Sequence, residues 1–405
     1  MLFKLISRFA LLPIVLGLQT TVEAALPTAQ QVTALRQTIR QSGETELTNF
    51  IQTYQIQTDR LPNPDRRNAL EQLCQQRDCH ASRLYWYTDL EKAKAAAKTT
   101  GKPILSLRLL GNLNEELSCA NSRFFRVALY PNAAISQTLR DRFILHWSSE
   151  RPVPKLTLDF GDGRKLERTV TGNSIHYVLD SNGNPIEAIP GLYTPQAFLE
   201  QLNQIDRAFQ TAAKQSDQST YWQTYHRDRL IQLQSQWAKN LKTIGITQPP
   251  KLLDVASTDA RTAGQIAMAK MAPERPLVRA LRLANHNQTE LETITDEASW
   301  QKLAALVPSQ LDARSLALMQ TKLDPKNPNP NAIRQFERRM AIDMVRNEYL
   351  LHAQIHQWML IGNLDFDNLN QRVYSELFLT PKNDPWLGLN PQDAFAAIEK
   401  DGVIP

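Results

Sequence analysis

The sequence predicts an α/β domain followed by an all-α C-terminal domain, and three observations support this fold class. Between residues 84 and 205, apolar runs alternate with amphipathic segments, as strands and helices do in an α/β domain. Asn182-Gly183 separates two short apolar runs and predicts a tight β-hairpin. From residue 206 to residue 405 strand patterns nearly vanish, and apolar residues recur at helical spacing.

The predicted α/β domain begins with an amphipathic helix and a buried strand. The helix covers residues 89–100 and ends at Gly101-Lys102-Pro103. The apolar run 104–110 follows as the first strand. A second hairpin is expected around 160–163, between strands 155–159 and 165–170.

Helical segments are expected on both sides of this domain. Residues 25–83 form a helical N-terminal segment that is broken by Leu61-Pro62-Asn63-Pro64. The C-terminal domain, residues 206–405, should contain six to eight helices, with clear helical spacing at 223–242, 261–271 and 300–306. A Pro-rich break near 324–331 predicts an exposed linker or long loop within it.

Length and charge restrict the function classes. A chain of 405 residues is long enough for two or more domains. The formal net charge is +5, but Lys and Arg are scattered among Asp and Glu without forming a basic block. This distribution argues against nucleic-acid binding.

The N-terminus predicts export. Lys4 and Arg8 form a basic region, residues 9–18 form an apolar one, and Val22-Glu23-Ala24 has the small residues of a cleavage site. We therefore expect a signal peptide over 1–24 and a periplasmic or secreted protein whose partners are other exported proteins. The apolar stretch is too short to cross a bilayer, and no later segment is a candidate membrane span.

In an oxidising compartment, the three cysteines suggest one disulfide and one free thiol. Cys74 and Cys79 are close enough in sequence to close a short loop, which would leave Cys119 unpaired. A bridge from Cys119 to Cys74 or Cys79 is the alternative. Cys74 and Cys79 followed by His80 also have the form of a rarer attachment motif for haem c. A disulfide is the favoured interpretation of this motif.

The order and spacing of residues 86–202 resemble the thioredoxin-like superfamily, in the form of an exported bacterial thioredoxin-domain protein. The residues that carry the resemblance are Trp86, 90–97, Gly101-Lys102-Pro103, Cys119-Ala120-Asn121-Ser122, Val178-Leu179-Asp180, Asn182-Gly183, Gly191 and 195–202. The resemblance implies a thioredoxin-like fold with Cys119 in the place of the active-site nucleophile.

The resemblance also reveals two departures from a dithiol site. Ser122 stands where the family has its resolving cysteine, so the motif is a degenerate Cys-x-x-Ser. Ser174 stands where the family has a cis-proline facing the active-site cysteine, and its peptide bond is expected to be trans because a non-proline cis bond is costly.

Two functions remain open, and the sequence does not decide whether the protein is an enzyme. In the first, Cys119 performs monothiol thiol–disulfide exchange, with Ser122 donating a hydrogen bond to the thiolate, and binds exported partners through mixed disulfides. In the second, the degenerate fold is a non-catalytic binding or scaffold module. A reactive, accessible thiol is required by the first function only.

A further candidate site lies on a predicted helix at 341–360. Glu348, His352 and His356 follow one another at four-residue steps and therefore share one helix face within an apolar stripe. Carboxylate and imidazole are zinc ligands, so these residues are a candidate zinc site. A buried hydrogen-bonded network is the favoured alternative because no further ligand can be assigned.

Overall fold

The computed structural model describes residues 43–169, 173–252, 297–323, 325–326, 329, 331–361, 365–378, 380–383 and 385. The expected signal peptide, the helix expected at 261–271 and part of the Pro-rich break lie outside these residues. Within the described residues, a mixed α/β region is followed by a helical C-terminal region, as the sequence predicts.

The N-terminal helices form a small core of their own. They are α1 (43–53), α2 (Pro64–Cys74) and α3 (Cys79–Ser82). The predicted Cys74–Cys79 disulfide is present and joins the end of α2 to the start of α3. Leu47, Phe50 and Leu70 pack around it, so the disulfide stabilises a cluster separate from the main core.

A four-stranded mixed sheet forms the centre of the α/β region. Its strands are β1 (Ile104–Leu110), β2 (Ile144–Arg151), β5 (Ser174–Leu179) and β6 (Pro185–Pro190). The order across the sheet is β2-β1-β5-β6. β1 runs parallel to β2 and antiparallel to β5, and β5 runs antiparallel to β6.

The two predicted hairpins are confirmed. β5 and β6 meet at Asn182-Gly183, where Gly183 has a φ of 93°, which a side chain would disfavour. β3 (Lys155–Asp159) and β4 (Lys165–Thr169) pair as a separate two-stranded sheet inserted between β2 and β5. Residue 170, predicted as the end of the second strand, lies outside the described residues.

Four helices belong to the α/β region, namely α4 (Leu90–Thr100), α5 (Ala120–Phe124), α6 (Ala133–Arg142) and α7 (Pro195–Ala212). Asp89 caps the start of α4 by accepting hydrogen bonds from two backbone N–H groups, and Gly101 ends it in the left-handed conformation. The α5 helix begins directly after Cys119 and continues as a π-helical turn over Phe125–Leu129.

The C-terminal region contains α8 (Gln218–Thr243), α9 (Glu297–Ala304), α10 (Ala313–Thr321), α11 (Ala332–Arg346), α12 (Ala353–Ile361) and α13 (Phe366–Arg372). A π-helical turn over Asn347–His352 joins α11 to α12, and another over Val373–Leu377 follows α13. No described helix is both long and apolar enough to span a bilayer.

One continuous apolar core joins the two regions. It includes sheet residues such as Leu107 and Ile189, together with helical residues such as Trp237, Leu351 and Phe378. β6 packs against the π-helical turn 347–352 and against α12. The helical region therefore covers one end of the sheet, and polar side chains from both regions are buried where they meet.

Candidate functional site

Cys119 lies just before α5, in the position that the sequence predicts. A loop leaves β1 and returns so that the Cys119 N–H donates to the carbonyl of Leu110, the last residue of β1. Cys119 is the N-cap residue of α5, and its side chain makes no capping hydrogen bond. It is the free cysteine of the chain and is fully buried.

The Cys119 thiol is enclosed by polar groups of the chain itself. Its Sγ lies 2.8 Å from Ser174 Oγ, 3.4 Å from Ser122 Oγ and 3.8 Å from the carbonyl of Asn173. The thioredoxin-like resemblance implies that Ser174 lies opposite Cys119, and the structure brings the two side chains together. The Ser174 peptide bond is trans, as expected.

Ser122 differs in role from the expected partner of a thiolate. Its hydroxyl is a donor to Ser118 Oγ at 2.7 Å and to the Cys119 carbonyl at 2.8 Å. Toward the sulfur it is an acceptor, with the thiol as donor. A hydroxyl has one hydrogen, so these bonds compete with donation to a thiolate.

The end of the helical region covers this cysteine. Asn173, next to Ser174, donates from Nδ2 to the Phe378 carbonyl at 3.3 Å and to Thr380 Oγ1 at 3.0 Å. Tyr374 OH donates to the Asn173 carbonyl at 3.4 Å. Asn173, Tyr374, Phe378 and Thr380 are themselves buried. We call residues 373–378 and 380 the C-terminal cover.

A second cluster of ionisable groups lies where β6 meets the helices. Glu187 of β6 is fully buried and close to His226 of α8, His352 of the π-helical turn and His356 of α12. Glu187 Oε2 accepts from Tyr225 OH at 2.9 Å, and Oε1 accepts from the Ala188 N–H at 2.8 Å. We call Glu187, His226, Glu348, His352 and His356 the junction cluster.

His352 lies between two carboxylates. Its Nε2 is 3.3 Å from Glu187 Oε1, and its Nδ1 is 3.4 Å from Glu348 Oε2. Burial lowers the pKa of His352, but the hydrogen bonds to these two carboxylates outweigh burial and raise the pKa to about 9. Burial raises the pKa of Glu187, but the neighbouring His356 and His352 bring it well below its usual value.

Glu348, His352 and His356 share one face, as predicted, but they form no metal-sized group by themselves. Glu348 turns toward Gln201 and Arg229, and the His352 ring stacks on the His356 ring with centroids 4.3 Å apart. The compact group of ligand atoms is instead Glu187, His226 and His356. A hydrogen-bonded network therefore surrounds Glu348 and His352, while His356 belongs to a different trio.

The Cys74-x4-Cys79-His80 motif contains a disulfide in the structure. The two sulfurs are bonded to each other, and a thioether link to haem c would need both as thiols. His80 is buried in α3, and burial lowers its pKa to about 4. This imidazole is therefore neutral near pH 7.

The sequence missed the residues that contact these sites from distant parts of the chain. Glu187 lies within the otherwise apolar strand 185–190. This position is a signal in the sequence, because a buried carboxylate needs partners. Nothing local associates it with His226 or His356. The C-terminal cover has no local signal either, because Asn173 and Thr380 are separated by 207 residues.

Comparisons with protein-family models, with curated proteins and with solved structures give no match to this chain.

Proposed function

We propose that this chain is an exported, non-catalytic scaffold protein that uses a degenerate thioredoxin-like domain as a platform for its helical region. The strand order β2-β1-β5-β6, with one parallel and two antiparallel pairs, is consistent with the thioredoxin-like resemblance. The position of Cys119 after β1, opposite Ser174 at the start of β5, agrees with it as well.

The observation that carries the proposal is the complete burial of Cys119. Thiol–disulfide exchange requires a thiolate sulfur to attack a disulfide sulfur directly, so the thiol must be reachable. Here Ser174, Ser122 and Asn173 surround the sulfur. Cys119 is therefore a buried packing residue whose thiol is satisfied by its neighbours.

The C-terminal cover is bonded to Asn173, whose carbonyl lies 3.8 Å from the Cys119 sulfur. Asn173 is bonded on its amide side to Phe378 and Thr380 and on its carbonyl side to Tyr374. We infer that the helical region closes this edge of the sheet to a disulfide substrate. The scaffold proposal gives the helical region a function that an oxidoreductase would not need.

Monothiol exchange through Cys119 remains the alternative function, and it requires a conformational change that the scaffold does not require. The C-terminal cover would have to leave the sheet before any substrate reached the sulfur, and Ser122 could not resolve the mixed disulfide that forms. In the scaffold, partners among other exported proteins are held without a covalent bond. The two functions therefore differ in whether a native mixed disulfide can form.

An exchange assay with a matched variant tests the proposal. Disulfide exchange in scrambled ribonuclease should be no faster with the folded chain or with Cys119→Ser than without either protein. Neither should gain a glutathione adduct when incubated with glutathione disulfide and followed by intact mass. Catalysis, or a native adduct on Cys119, that is present in the wild-type chain and absent from Cys119→Ser would reject the scaffold function.

A further inference from the structure

Three ligand-type side chains from separate elements meet at the junction between the sheet and the helices. They are Glu187 of β6, His226 of α8 and His356 of α12, and all three are buried. Each offers one ligand atom, and the three atoms lie within 4.8 Å of one another. We propose that Glu187, His226 and His356 bind one divalent transition-metal ion of the zinc class.

Two separations among the three ligand atoms are compatible with a single ion. His226 Nδ1 lies 3.0 Å from His356 Nδ1, and His356 Nδ1 lies 3.8 Å from Glu187 Oε1. Two ligand atoms that are each about 2.1 Å from one zinc ion are about 3.0 Å apart at a right angle and about 3.8 Å apart at 130°. The two observed separations lie on either side of the tetrahedral value of about 3.4 Å.

The ligands are held in place by groups around them. Tyr225 OH donates to Glu187 Oε2, and the Ala188 N–H donates to Glu187 Oε1. Outer partners of this kind fix the orientation of metal ligands and tune their affinity.

A hydrogen bond alone satisfies this group incompletely. One proton between the two Nδ1 atoms pairs His226 with His356, whereas Glu187 Oε1 accepts from the Ala188 N–H and lies 3.3 Å from His352 Nε2. His356 Nε2 is buried and has no hydrogen-bond partner within the described residues.

The ligand set indicates the class of ion. Two imidazoles and one carboxylate suit zinc and its neighbours in the first transition row, whereas Mg²⁺ and Ca²⁺ prefer oxygen ligands. Three protein ligands leave a fourth position for water or another small ligand. A cleft of about 240 Å³ has Glu348 of the junction cluster in its wall.

The ion would link the two regions of the chain. Glu187 comes from the sheet, whereas His226 and His356 come from the helical region. Because an ion that binds only the folded chain stabilises it by mass action, metal binding should fasten the helices to β6. This role is independent of the Cys119 thiol, so failure of one proposal leaves the other standing.

Titration of the chelator-treated chain with Co²⁺ tests the site, with visible d–d absorption as the readout and Zn²⁺ as competitor. We expect one Co²⁺ per chain, displacement by one Zn²⁺, and a rise in melting temperature on metal addition. His226→Gln and His356→Gln should lose stoichiometric binding. A folded wild-type chain that binds no Co²⁺ and gains no thermal stability overturns the proposal, and so does binding that persists in both variants.

A milder pair of variants covers the case in which the histidine variants fail to fold. Tyr225→Phe removes the hydrogen bond to Glu187 Oε2 and should weaken Co²⁺ binding about 10- to 100-fold. Tyr177→Phe is the matched control, because Tyr177 is buried in β5 and its hydroxyl has no hydrogen-bond partner among the described residues. It should leave the affinity unchanged. Equal affinities in the two variants would reject the assignment of Glu187 as a ligand.

Discussion

At the residue scale, the sheet contains two buried histidines that are neutral near pH 7. His146 Nδ1 is paired with Ser106 Oγ at 2.8 Å, and His176 Nε2 with Tyr130 OH at 2.7 Å. Burial lowers the pKa of each to about 3, with Arg108 as a further cause for His146. The unfolded chain would titrate these side chains near a pKa of about 6.5.

These histidines predict acid sensitivity. As pH falls from about 6.5 toward 3, protons bind the unfolded chain but not the two folded imidazoles, so the free energy of unfolding decreases across this window. Each histidine contributes about 1.4 kcal/mol per pH unit. Denaturant unfolding of wild type and His176→Phe at several pH values measures this, and the variant should have a slope smaller by about 1.4 kcal/mol per pH unit. An unchanged slope would contradict a neutral His176.

The Cys119 sulfur and the Ser122 hydroxyl oxygen lie 3.4 Å apart. A disulfide needs two sulfurs about 2.05 Å apart, so a small side-chain adjustment suffices for a bond. We expect oxidised Ser122→Cys to close a disulfide between Cys119 and the introduced thiol. Its reductase activity should stay at background, because the bond would be buried under the C-terminal cover.

Thiol counting after denaturation checks the Ser122→Cys prediction. Oxidised Ser122→Cys should have no free thiol, whereas the wild-type chain has one. Ser136→Cys is the matched control, since Ser136 is also buried but lies in α6, and this variant should have two free thiols. Two thiols in Ser122→Cys, or insulin reduction above background, would be the contrary result.

At the element scale, the Cys74–Cys79 disulfide belongs to the small N-terminal core and not to the sheet. Closing so short a loop stabilises the chain by about 2 kcal/mol on the chain-entropy estimate. Cys74→Ala/Cys79→Ala should therefore lower the free energy of unfolding by about 2 kcal/mol. Hydrogen exchange should accelerate in residues 43–83 and stay unchanged in β1 and β5. Equal acceleration in the sheet would show that the two cores are coupled.

Elements with strong local signals were predictable from the sequence. Asp89 and Gly101 delimit α4, and Asn182-Gly183 sets the β5–β6 turn, because capping and turn chemistry depend on neighbouring residues. The helix predicted at 341–360 is present as α11, a π-helical turn and α12. The π-helical turn has no clear signature in the sequence, since it reflects how the helix packs against β6.

Contacts between distant elements were not predictable. The sequence places Cys119 near Ser174 only through the resemblance, and it gives no sign that Thr380 bonds to Asn173. The junction cluster needs β6, α8 and α12 together, and the helical pattern alone groups His356 with Glu348 and His352 but gives no sign of Glu187 or His226. Local periodicity specifies a face, whereas partners across an interface depend on the whole packing.

At the scale of the whole molecule, the sheet and the helices share one core. Residues of β1, β6, α8 and the π-helical turns belong to the same buried cluster, which ends at Phe378 in the C-terminal cover. Removing the cover would therefore expose part of this core to water. Because such exposure costs free energy in proportion to the apolar area, the cover should remain closed in the native state.

The central claim is that the chain itself seals the Cys119 thiol. The most direct test is the rate at which Cys119 is alkylated. Iodoacetamide labelling of the folded chain should be at least about a thousandfold slower than labelling in denaturant, because an opening that costs about 5 kcal/mol must come first. The native rate should rise steeply with low denaturant. A native rate within about tenfold of the unfolded rate would contradict the sealed thiol and favour monothiol exchange.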